Sequence, residues 1–249
     1  MLKQERQSVI LREIDIHNKV LSSDLSIKLE VSEDTIRRDL NELAEQGKIT
    51  KVHGGALSKS YHLSSYPKSQ VYSVEKKTKI AQKARSLLRN GMFILISGGT
   101  TCREFARNLP LDLNATIFTI SLPTAMQLME HPTLEVVFLG GKLSKNAQLS
   151  VTGDVLRQLS EIRMDICFTG LNGLDPKKGM TDNDWEVVQV TKAMMQASDQ
   201  VVALTISEKL NSNHRMKVCN LTQIDTLITE LDEEDDLLLP FKQEGLNIL

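Results

Sequence analysis

Two adjacent arginines and the residues around them give the clearest chemical signal in the sequence. Arg37 and Arg38 lie within "VSEDTIRRDLNEL", whose apolar residues recur at helical spacing: Ile36, Leu40 and Leu43. Asp34, Thr35 and both arginines then lie away from that apolar face. Guanidinium groups suit phosphates and guanine edges, and a short hydroxyl allows close approach, which is typical of a helix laid in a DNA major groove. The alternative is an ordinary surface helix with pairs such as Asp34/Arg38, each contributing about 0.3–0.5 kcal/mol.

A second signal is the stretch "SGGTTCRE", which lies between a continuous apolar run and an amphipathic one. Gly98 and Gly99 allow close backbone approach, while Thr100 and Thr101 supply hydroxyl groups. The amides at the start of the following helix would point at the same place, so the stretch predicts a cradle for a phosphate or similar anion. The same residue types also serve ordinary tight turns and caps. The stretch matches neither G-x-x-x-x-G-K-[ST] nor G-x-G-x-x-G, which argues against a P-loop and a dinucleotide site.

The first sixty residues predict the elements that would present the two arginines. Helices are predicted over "QERQSVILREIDIHN" and "LSSDLSIKLEV", with Ser22 and Ser23 as N-cap candidates for the second helix. Ser32 is the N-cap candidate for the helix that carries the arginines. The alternating segment "KITKVHGGALS" is broken by Gly54-Gly55, which predicts a β-hairpin. Three helices and a hairpin make a winged helix-turn-helix.

The hairpin region has a local excess of positive charge. Lys48, Lys51 and Lys59 have no acidic residue among them between residues 46 and 60, and His53 lies near the tip. A basic wing beside the helix suits contacts to DNA phosphates. The whole chain has a net charge of only -2, so the case for DNA depends on this local segregation of charge.

The rest of the chain follows a different pattern. Residues 61–75 are rich in Ser and Tyr and are predicted to be a linker, and from residue 76 onward helical and strand patterns alternate. Continuous apolar strands in this arrangement predict a mainly parallel α/β sheet, with ligands beyond the carboxyl ends of its strands. Glu186, Gln189 and Lys192 could hold sugar hydroxyls and a phosphate there, or they could form a solvated helix face.

Cysteine usage and hydropathy limit the remaining classes. The three cysteines, at positions 102, 167 and 219, form no CxxC pair or His/Cys cluster, so neither a disulfide framework nor a metal site is predicted. No apolar run approaches the roughly 20 residues of a membrane span, and we expect a cytoplasmic protein without a cofactor. A redox role for Cys102, at the start of the helix after the glycine turn, is a weaker alternative to simple packing.

Two sets of motifs resemble the DeoR-type bacterial transcription regulators. The N-terminal set is Arg6-x3-Ile10-x3-Ile14-x17-Ser32-x2-Thr35-Ile36-Arg37-Arg38-Asp39-Leu40, followed by "HGGAL". The C-terminal set is GTT after a buried strand, GG after another, a G-x-N-G exit and an E-x-x-V-x-x-x-M helix, in that order. The resemblance implies a DNA-binding domain over residues 1–60 and a sensor domain over residues 76–249. It also implies that the sensor is similar in fold to ribose-5-phosphate isomerase and binds a phosphorylated sugar or related metabolite.

The loop signals and the resemblance together give two sets of candidate residues. The DNA-binding candidates are Ser22, Ser32, Asp34, Thr35, Arg37, Arg38, Lys51, His53, Gly54 and Gly55. The effector-binding candidates are Gly98, Gly99, Thr100, Thr101, Ser121, Leu122, Gly141, Gly153, Asn172, Gly173, Glu186, Lys192 and Lys209. Asp39 is expected to hold arginines in register. Ser97 and Ile206 depart from the family pattern, because each stands where an acidic residue is common, and we expect them to alter effector preference.

These observations favour a DNA-binding transcription regulator, most simply a repressor of carbohydrate-metabolism genes, and not an enzyme. Its expected partners are double-stranded operator DNA, a small phosphorylated sugar and further copies of itself in a homodimer or homotetramer. One alternative is a sugar-phosphate isomerase with an attached DNA-binding arm, with Glu186 or Asp175 as its general base. Another is a regulator that senses a nucleotide.

Overall fold

The computed structural model describes residues 1–59 and 71–249, which divide into two compact units, Met1–Tyr72 and Ser73–Leu249. The boundary between the units falls within the predicted linker, most of which lies outside the described residues. In the described ranges, no helix has the length and apolar character needed to cross a membrane.

The first unit is a winged helix-turn-helix, as predicted. Its elements are α1 (Lys3–His17), β1 (Lys19–Leu21), α2 (Ser22–Leu29), α3 (Glu33–Glu45), β2 (Ile49–Val52) and β3 (Gly55–Ser58). The strands form an antiparallel sheet in the order β1-β3-β2. The predicted apolar face of α3 packs in the core with Ile10 and Ile14 of α1, and Ile36, Leu40 and Leu43 are fully buried.

Two details of this unit differ from expectation. Ser22 and Ser23 are not N-caps, since α2 begins at Ser22 and its N-cap position is Leu21. The wing replaces the side-chain cap, because the Ser22 amide donates a 2.8 Å hydrogen bond to the carbonyl of Gly54. Strand β1 was not predicted because only three residues pair with β3, too few to show alternation.

The second unit contains all the remaining strands. They are β4 (Phe93–Ile96), β5 (Thr116–Thr119), β6 (Glu135–Phe138), β7 (Leu143–Ser144), β8 (Leu149–Ser150), β9 (Met164–Gly170), β10 (Gly173–Asp175), β11 (Gly179–Asp182), β12 (Ser198–Leu204), β13 (Met216–Cys219), β14 (Thr226–Ile228) and β15 (Asn247–Ile248). Seven of them form a wholly parallel sheet in the order β15-β14-β12-β9-β4-β5-β6. The small antiparallel sheet β10-β11-β13 and the β7–β8 pair were not predicted.

Helices alternate with these strands. They are α4 (Val74–Ala84), α5 (Thr100–Arg107), α6 (Leu122–Leu128), α7 (Gly153–Ser160), α8 (Trp185–Gln196) and α9 (Leu239–Gln243). Most of the interior strand β4 is buried, and its Leu95 packs with Val155 and Leu159 of α7 and Met194 of α8. Helix α4 ends at Ala84, and a 3-10 turn follows it at Arg85–Leu87.

Candidate functional site

The recognition-type helix α3 is capped as predicted. The Ser32 side chain accepts a hydrogen bond from the Thr35 amide at 3.3 Å, and the two hydroxyl oxygens lie 2.9 Å apart. This cap satisfies one of the free amides of the first turn. It also fixes the half-exposed Thr35 hydroxyl at the start of the helix, beside the exposed side chains of Arg37 and Arg38.

The two arginines are held only weakly by the protein. Arg37 contacts Glu33 at 3.3 Å and Asp34 at 3.4 Å, and these side chains are 60%, 46% and 76% exposed, respectively. Exposed pairs of this kind contribute about 0–1 kcal/mol, so a phosphate or base edge can replace them. Arg38 is exposed and has no ion pair or hydrogen bond with any residue of the described ranges. The alternative pair Asp34/Arg38 is not formed, because Asp34 turns to Arg37.

Asp39 is buried on the opposite side of α3 from this exposed surface. Its carboxylate accepts hydrogen bonds from Arg6 Nε at 2.5 Å and Nη2 at 3.3 Å, and from Gln7 Nε2 at 3.3 Å. The hydrogen bond to Asp39 raises the pKa of Arg6 against the opposing effect of burial. Asp39 therefore holds an arginine, but the arginine belongs to α1, and the contact fixes α3 against α1.

The wing adds exposed polar groups beside α3. Lys51 is exposed on β2 and its amine bonds the Asn41 side chain of α3, while His53 and Gly54 are exposed at the turn. Two of the predicted DNA contacts lie inside the unit instead. Ser22 is 4% exposed, and a Cβ on the buried Gly55 would lie 1.9 Å from the carbonyl oxygen of Val20. Gly55 thus allows β3 to lie against β1.

The second unit has a topological switch point between β4 and β9. From β4 the chain adds β5 and β6 on one side, whereas β9 and the later strands extend the sheet on the other side. The loops that follow β4 and β9 therefore meet at the carboxyl edge, where open α/β sheets bind ligands. Their approach is close, because a Cβ on Gly170 would lie 3.3 Å from the Gly98 carbonyl oxygen.

The glycine turn after β4 forms one wall of this crevice. Gly99 is the N-cap residue of α5 at a φ of 91°, a conformation that other residues rarely adopt, and a Cβ there would meet no atom within 4 Å. Gly98 has a different role, since a Cβ there would lie 2.4 Å from Leu149 Cδ2. Thr100 is half-exposed and Thr101 is buried. The turn therefore presents open backbone and the first amides of α5 at the edge of the sheet.

The loop after β5 is tied to the same turn. Ser121 caps α6, and the Thr124 hydroxyl donates a hydrogen bond to the Ser97 carbonyl at 3.2 Å and lies 3.0 Å from Ser121 Oγ. Leu122 remains 40% exposed. This bonding fixes the spacing of the two loops, which is what a preformed ligand site requires.

A buried group of polar side chains forms the other wall. Lys209, in the turn after β12, donates to the Leu171 carbonyl at 2.8 Å, and the Asn172 amide donates to Asp182 Oδ2 at 2.8 Å. Burial lowers the pKa of Lys209 to about 8, although Asp182 favours its charged form. Burial also raises the pKa of Asp182 against the hydrogen bonds from the Asp184 and Asn183 amides. Together these groups offer a cation, a carboxyl group and an amide to one ligand.

Asp182 is not among the effector-binding candidates that the sequence predicted. It ends β11, a strand of the small sheet that was not predicted, and it lies in "MTDND" just before α8. The available signal was an acidic residue between an apolar run and a helix, but such residues are also common as ordinary helix caps. The structure places Asp182 within reach of Asn172, which was predicted.

The other predicted effector residues are more scattered. Gly141 and Gly153 are exposed near the β5 side, where a Cβ on Gly141 would lie 2.5 Å from Thr152 Oγ1 and Gly153 begins α7. Gly173 is buried in β10 against Ser212. Asp175, one of the two candidate bases for an isomerase, instead accepts hydrogen bonds from two amides of its own turn, Lys177 and Lys178.

The predicted convergence of Glu186, Gln189 and Lys192 needs correction. Glu186 is exposed in the first turn of α8, but Lys192 lines an open cavity of about 560 Å³ with Ser198 and Lys217. Ser198 begins β12, so this cavity lies at the amino edge of the sheet, opposite Lys209. Glu186 and Lys192 do not converge because the six-residue step between them along α8 corresponds to a rise of about 9 Å along the helix axis.

Cys102 does not have the environment of a reactive thiol. It is fully buried, and burial raises its pKa to about 12 despite the hydrogen bond from Gly170 and the nearby Lys209. Desolvation therefore outweighs the helix dipole that suggested a redox role. The packing interpretation of Cys102 is the one that fits this structure.

Comparisons with known proteins agree with both units. Residues 6–61 match the model of the DeoR-like helix-turn-helix domain, and residues 72–231 match the model of the DeoR C terminal sensor domain. The regulator GolR of Listeria innocua is 30% identical over 100% of this chain and 98% of its own length. The repressor GlcR of Bacillus subtilis is 32% identical over 92% and 89%, and the glycerol-3-phosphate regulon repressor of Escherichia coli is 28% identical over 92% and 92%.

Solved structures give a weaker match. Ribose 5-phosphate isomerase A from Methanocaldococcus jannaschii aligns with a TM-score of 0.40 and 21% identity, over 54% of this chain and 53% of its own. The fold of the second unit is defined by its own sheet order.

Proposed function

The chain belongs to the DeoR family of transcription regulators, and from that premise we propose that it represses carbohydrate-metabolism genes until a phosphorylated sugar binds its second unit. The proposal assigns DNA contacts to residues 1–60 and effector sensing to residues 76–249. It places the protein in the cytoplasm, where the DNA is. The observation that carries the proposal is the close approach of the loops after β4 and β9 at the switch point of the parallel sheet, where the Lys209 amine is bonded to the Leu171 carbonyl.

On the DNA side, we assign base contacts to α3. Arg38, which has no ion pair within the described ranges, would contact base edges or phosphates, and Arg37 would exchange its exposed carboxylate partners for DNA. Lys51 and His53 of the wing would contact the adjacent backbone. Proteins of this kind pair to contact two half-sites, so the functional form is a homodimer or homotetramer.

On the effector side, each wall of the crevice has a chemical role. The open amides of the Gly99 turn and the Lys209 amine would hold the phosphate, while Asn172 and Asp182 would receive hydroxyl groups. Ser97 and Ile206 are both buried and neutral, where an acidic residue is common in the family. We infer that a site with fewer carboxylates tolerates a more anionic ligand, and a Ser97→Asp variant should bind sugar phosphates more weakly than the parent.

Control of DNA binding requires that the effector prefer one arrangement of the protein. A 100-fold preference supplies about 2.7 kcal/mol of bias, enough to change occupancy of an operator. The relatives' names fit this scheme, because one is a repressor of a glycerol-3-phosphate regulon and another is an activator of an L-fucose operon.

The decisive experiment uses the full chain and a random DNA pool. Repeated selection should yield a palindromic or repeated sequence, and glycerol 3-phosphate, glucose 6-phosphate or fructose 1-phosphate should change the affinity for that DNA at least tenfold. Adding pentose and hexose phosphates and following the ratio of aldose to ketose isomers tests the enzyme alternative. Turnover near 1 s⁻¹ would favour an isomerase, whereas DNA selection without any sequence preference would overturn the regulator.

A further inference from the structure

The first helix of the second unit, α4, is bonded to both walls of the candidate effector site. It begins two residues after Tyr72, the last residue of the first unit, so it is the first regular element that the chain enters on leaving that unit. On one side, the Thr78 hydroxyl donates to Glu104 of α5 at 2.9 Å. On the other side, the Lys76 amine lies 2.7 Å from Glu208 and 3.0 Å from Glu230.

The Lys76 contact is a network of charged groups. Glu230 also accepts hydrogen bonds from the Ser207 amide at 3.0 Å and its hydroxyl at 2.6 Å. Glu208 and Glu230 are only 17% and 6% exposed, and Lys76 is 37% exposed. Burial opposes the charge on Lys76, but the hydrogen bonds and the attraction between its amine and the carboxylates of Glu208 and Glu230 outweigh burial and raise the pKa of Lys76. The amine therefore stays charged at neutral pH and the network stays closed.

Glu208 connects this network to the ligand site. It is the residue before Lys209, and both lie in the 3-10 turn Ser207–Lys209 that follows β12. Glu208 and Lys209 are consecutive residues of this turn, so a shift of the Lys209 backbone toward an anion also shifts Glu208. Lys76 must then follow Glu208 or lose its shortest contact.

The Thr78 contact supports the opposite wall. Glu104 is 4% exposed and also receives hydrogen bonds from Arg107 at 3.1 Å and Asn108 at 2.9 Å. These partners hold Glu104 in place on α5, the helix that begins directly after the Gly99 turn. A movement of either wall would therefore reach α4, because α4 is bonded to both.

We propose that α4 couples the effector site to the DNA-binding unit, and that Lys76 is the positioning residue that makes this coupling work. The inference rests on the proposed function, because it names the regulation of the same site. Lys76 touches neither DNA nor effector in this scheme. It transmits closure of the Ser207–Lys209 turn to the chain that leads back to the first unit, as a packed element with two arrangements can.

The test separates coupling from binding. Three quantities are measured for the full chain: the affinity for glycerol 3-phosphate, glucose 6-phosphate or fructose 1-phosphate, the affinity for the selected DNA, and the change in DNA affinity when the sugar phosphate saturates. That change is the coupling. In Lys76→Gln we expect both separate affinities to stay within about threefold of the parent, while the coupling falls about tenfold or more.

Matched variants keep the result interpretable. Lys79→Gln is the control, since Lys79 is an exposed lysine on the same helix and its side chain has no ion pair or hydrogen bond with any residue of the described ranges. It should keep full coupling, as should Lys76→Arg. Thr78→Val should lose part of it. If Lys76→Gln responds like the parent, or Lys79→Gln loses coupling equally, α4 has no such role. If no sugar phosphate alters DNA binding by the parent, the proposed function fails first, and this inference fails with it.

Discussion

The two units place their important cations in opposite environments. Arg37 and Arg38 lie on an exposed helix face, where the protein holds them with long, weak pairs or with none in the described ranges. Lys209 is buried, donates to a carbonyl and has a pKa lowered to about 8 by burial. The difference suits their proposed partners. A DNA duplex brings many charges and needs accessible cations, whereas a small anion needs a preformed and desolvated site.

The largest effect should come from removing both exposed cations. We expect Arg37→Ala/Arg38→Ala to weaken binding to the selected DNA by about 100-fold or more at 150 mM salt, since each arginine contact with a base is worth about 1–3 kcal/mol. The salt dependence of the dissociation constant should also become less steep. Fluorescence anisotropy over a salt series measures both quantities.

A control pair of arginines exists in the second unit. Arg157 and Arg163 are also exposed, at 64% and 74%, and pair with Glu161 and Asp199. Their double alanine variant removes the same charge and should bind DNA within threefold of the parent. Equal losses in the two double variants would mean that net charge alone is responsible, and the assignment of α3 would be withdrawn.

The next largest effect should come from the buried partner of α1. Replacing Asp39 with Asn leaves the Arg6 guanidinium without its carboxylate, and the free energy of unfolding of the first unit should fall by about 2–3 kcal/mol. Chemical denaturation with circular dichroism measures this loss. The DNA salt slope should not change, because Asp39 faces the core. Glu42→Gln is the control, since its contact with Lys3 is exposed and should cost far less. A changed salt slope in Asp39→Asn would place this carboxylate in the DNA interface instead.

Much of the architecture could be predicted because it depends on local pattern. The periodic apolar residues of α3, the Ser32 cap and the break at Gly54 identified the recognition helix and the wing. Continuous apolar strands identified the parallel sheet. Strand β1 pairs with β3, and β11 pairs with β13, across long stretches of sequence, and β10 has only three residues, so no local pattern predicted these strands. The same limit explains why Asp182, which ends β11, was missed.

The site could be predicted in part for the same reason. The glycine turn and Lys209 both follow strands, and carboxyl ends of parallel strands meet at one edge. Lys192 was assigned from its place along a helix, but a helical spacing shows which face a residue shares and not which end of the sheet it reaches. The burial of Gly55 and Ser22 could not be predicted either, because it follows from the unpredicted contact with β1 and the wing.

A smaller effect should separate the two kinds of cation by pH. A phosphate ester is already dianionic above pH 7, so a change in its affinity with pH above that value comes from titration of a group on the protein. An anion favours the charged form of Lys209 and raises its pKa, so binding takes up a proton near and above pH 8. The affinity of the protein for the sugar phosphate should therefore fall about tenfold per pH unit above about pH 8, as Lys209 of the free protein loses its proton.

The DNA affinity supplies the contrast in this experiment. Arginine stays charged throughout, so binding of the selected DNA in the absence of effector should be flat from pH 7.5 to about pH 9.5. Calorimetry in two buffers of different ionisation enthalpy measures the proton uptake directly. Lys192→Gln should keep the pH dependence, and Lys209→Gln should lose it. A flat profile in the parent would show that Lys209 does not meet the anion.

The smallest effect should come from two glycines with positive φ, one in each unit. Gly99 and Gly54 have φ values of 91° and 75°, and a Cβ at either position would meet no atom within 4 Å. An alanine should therefore cost about 1–2 kcal/mol of backbone strain at each position, with no steric clash. If the Gly99 turn cradles an anion, Gly99→Ala should also weaken sugar-phosphate binding about fivefold or more, while Gly54→Ala should leave it unchanged. If Gly99→Ala and Gly54→Ala lose the same stability and both bind the sugar phosphate as tightly as the parent, the Gly99 turn is an ordinary helix cap. The effector would then have to be held by Lys209 and its neighbours alone.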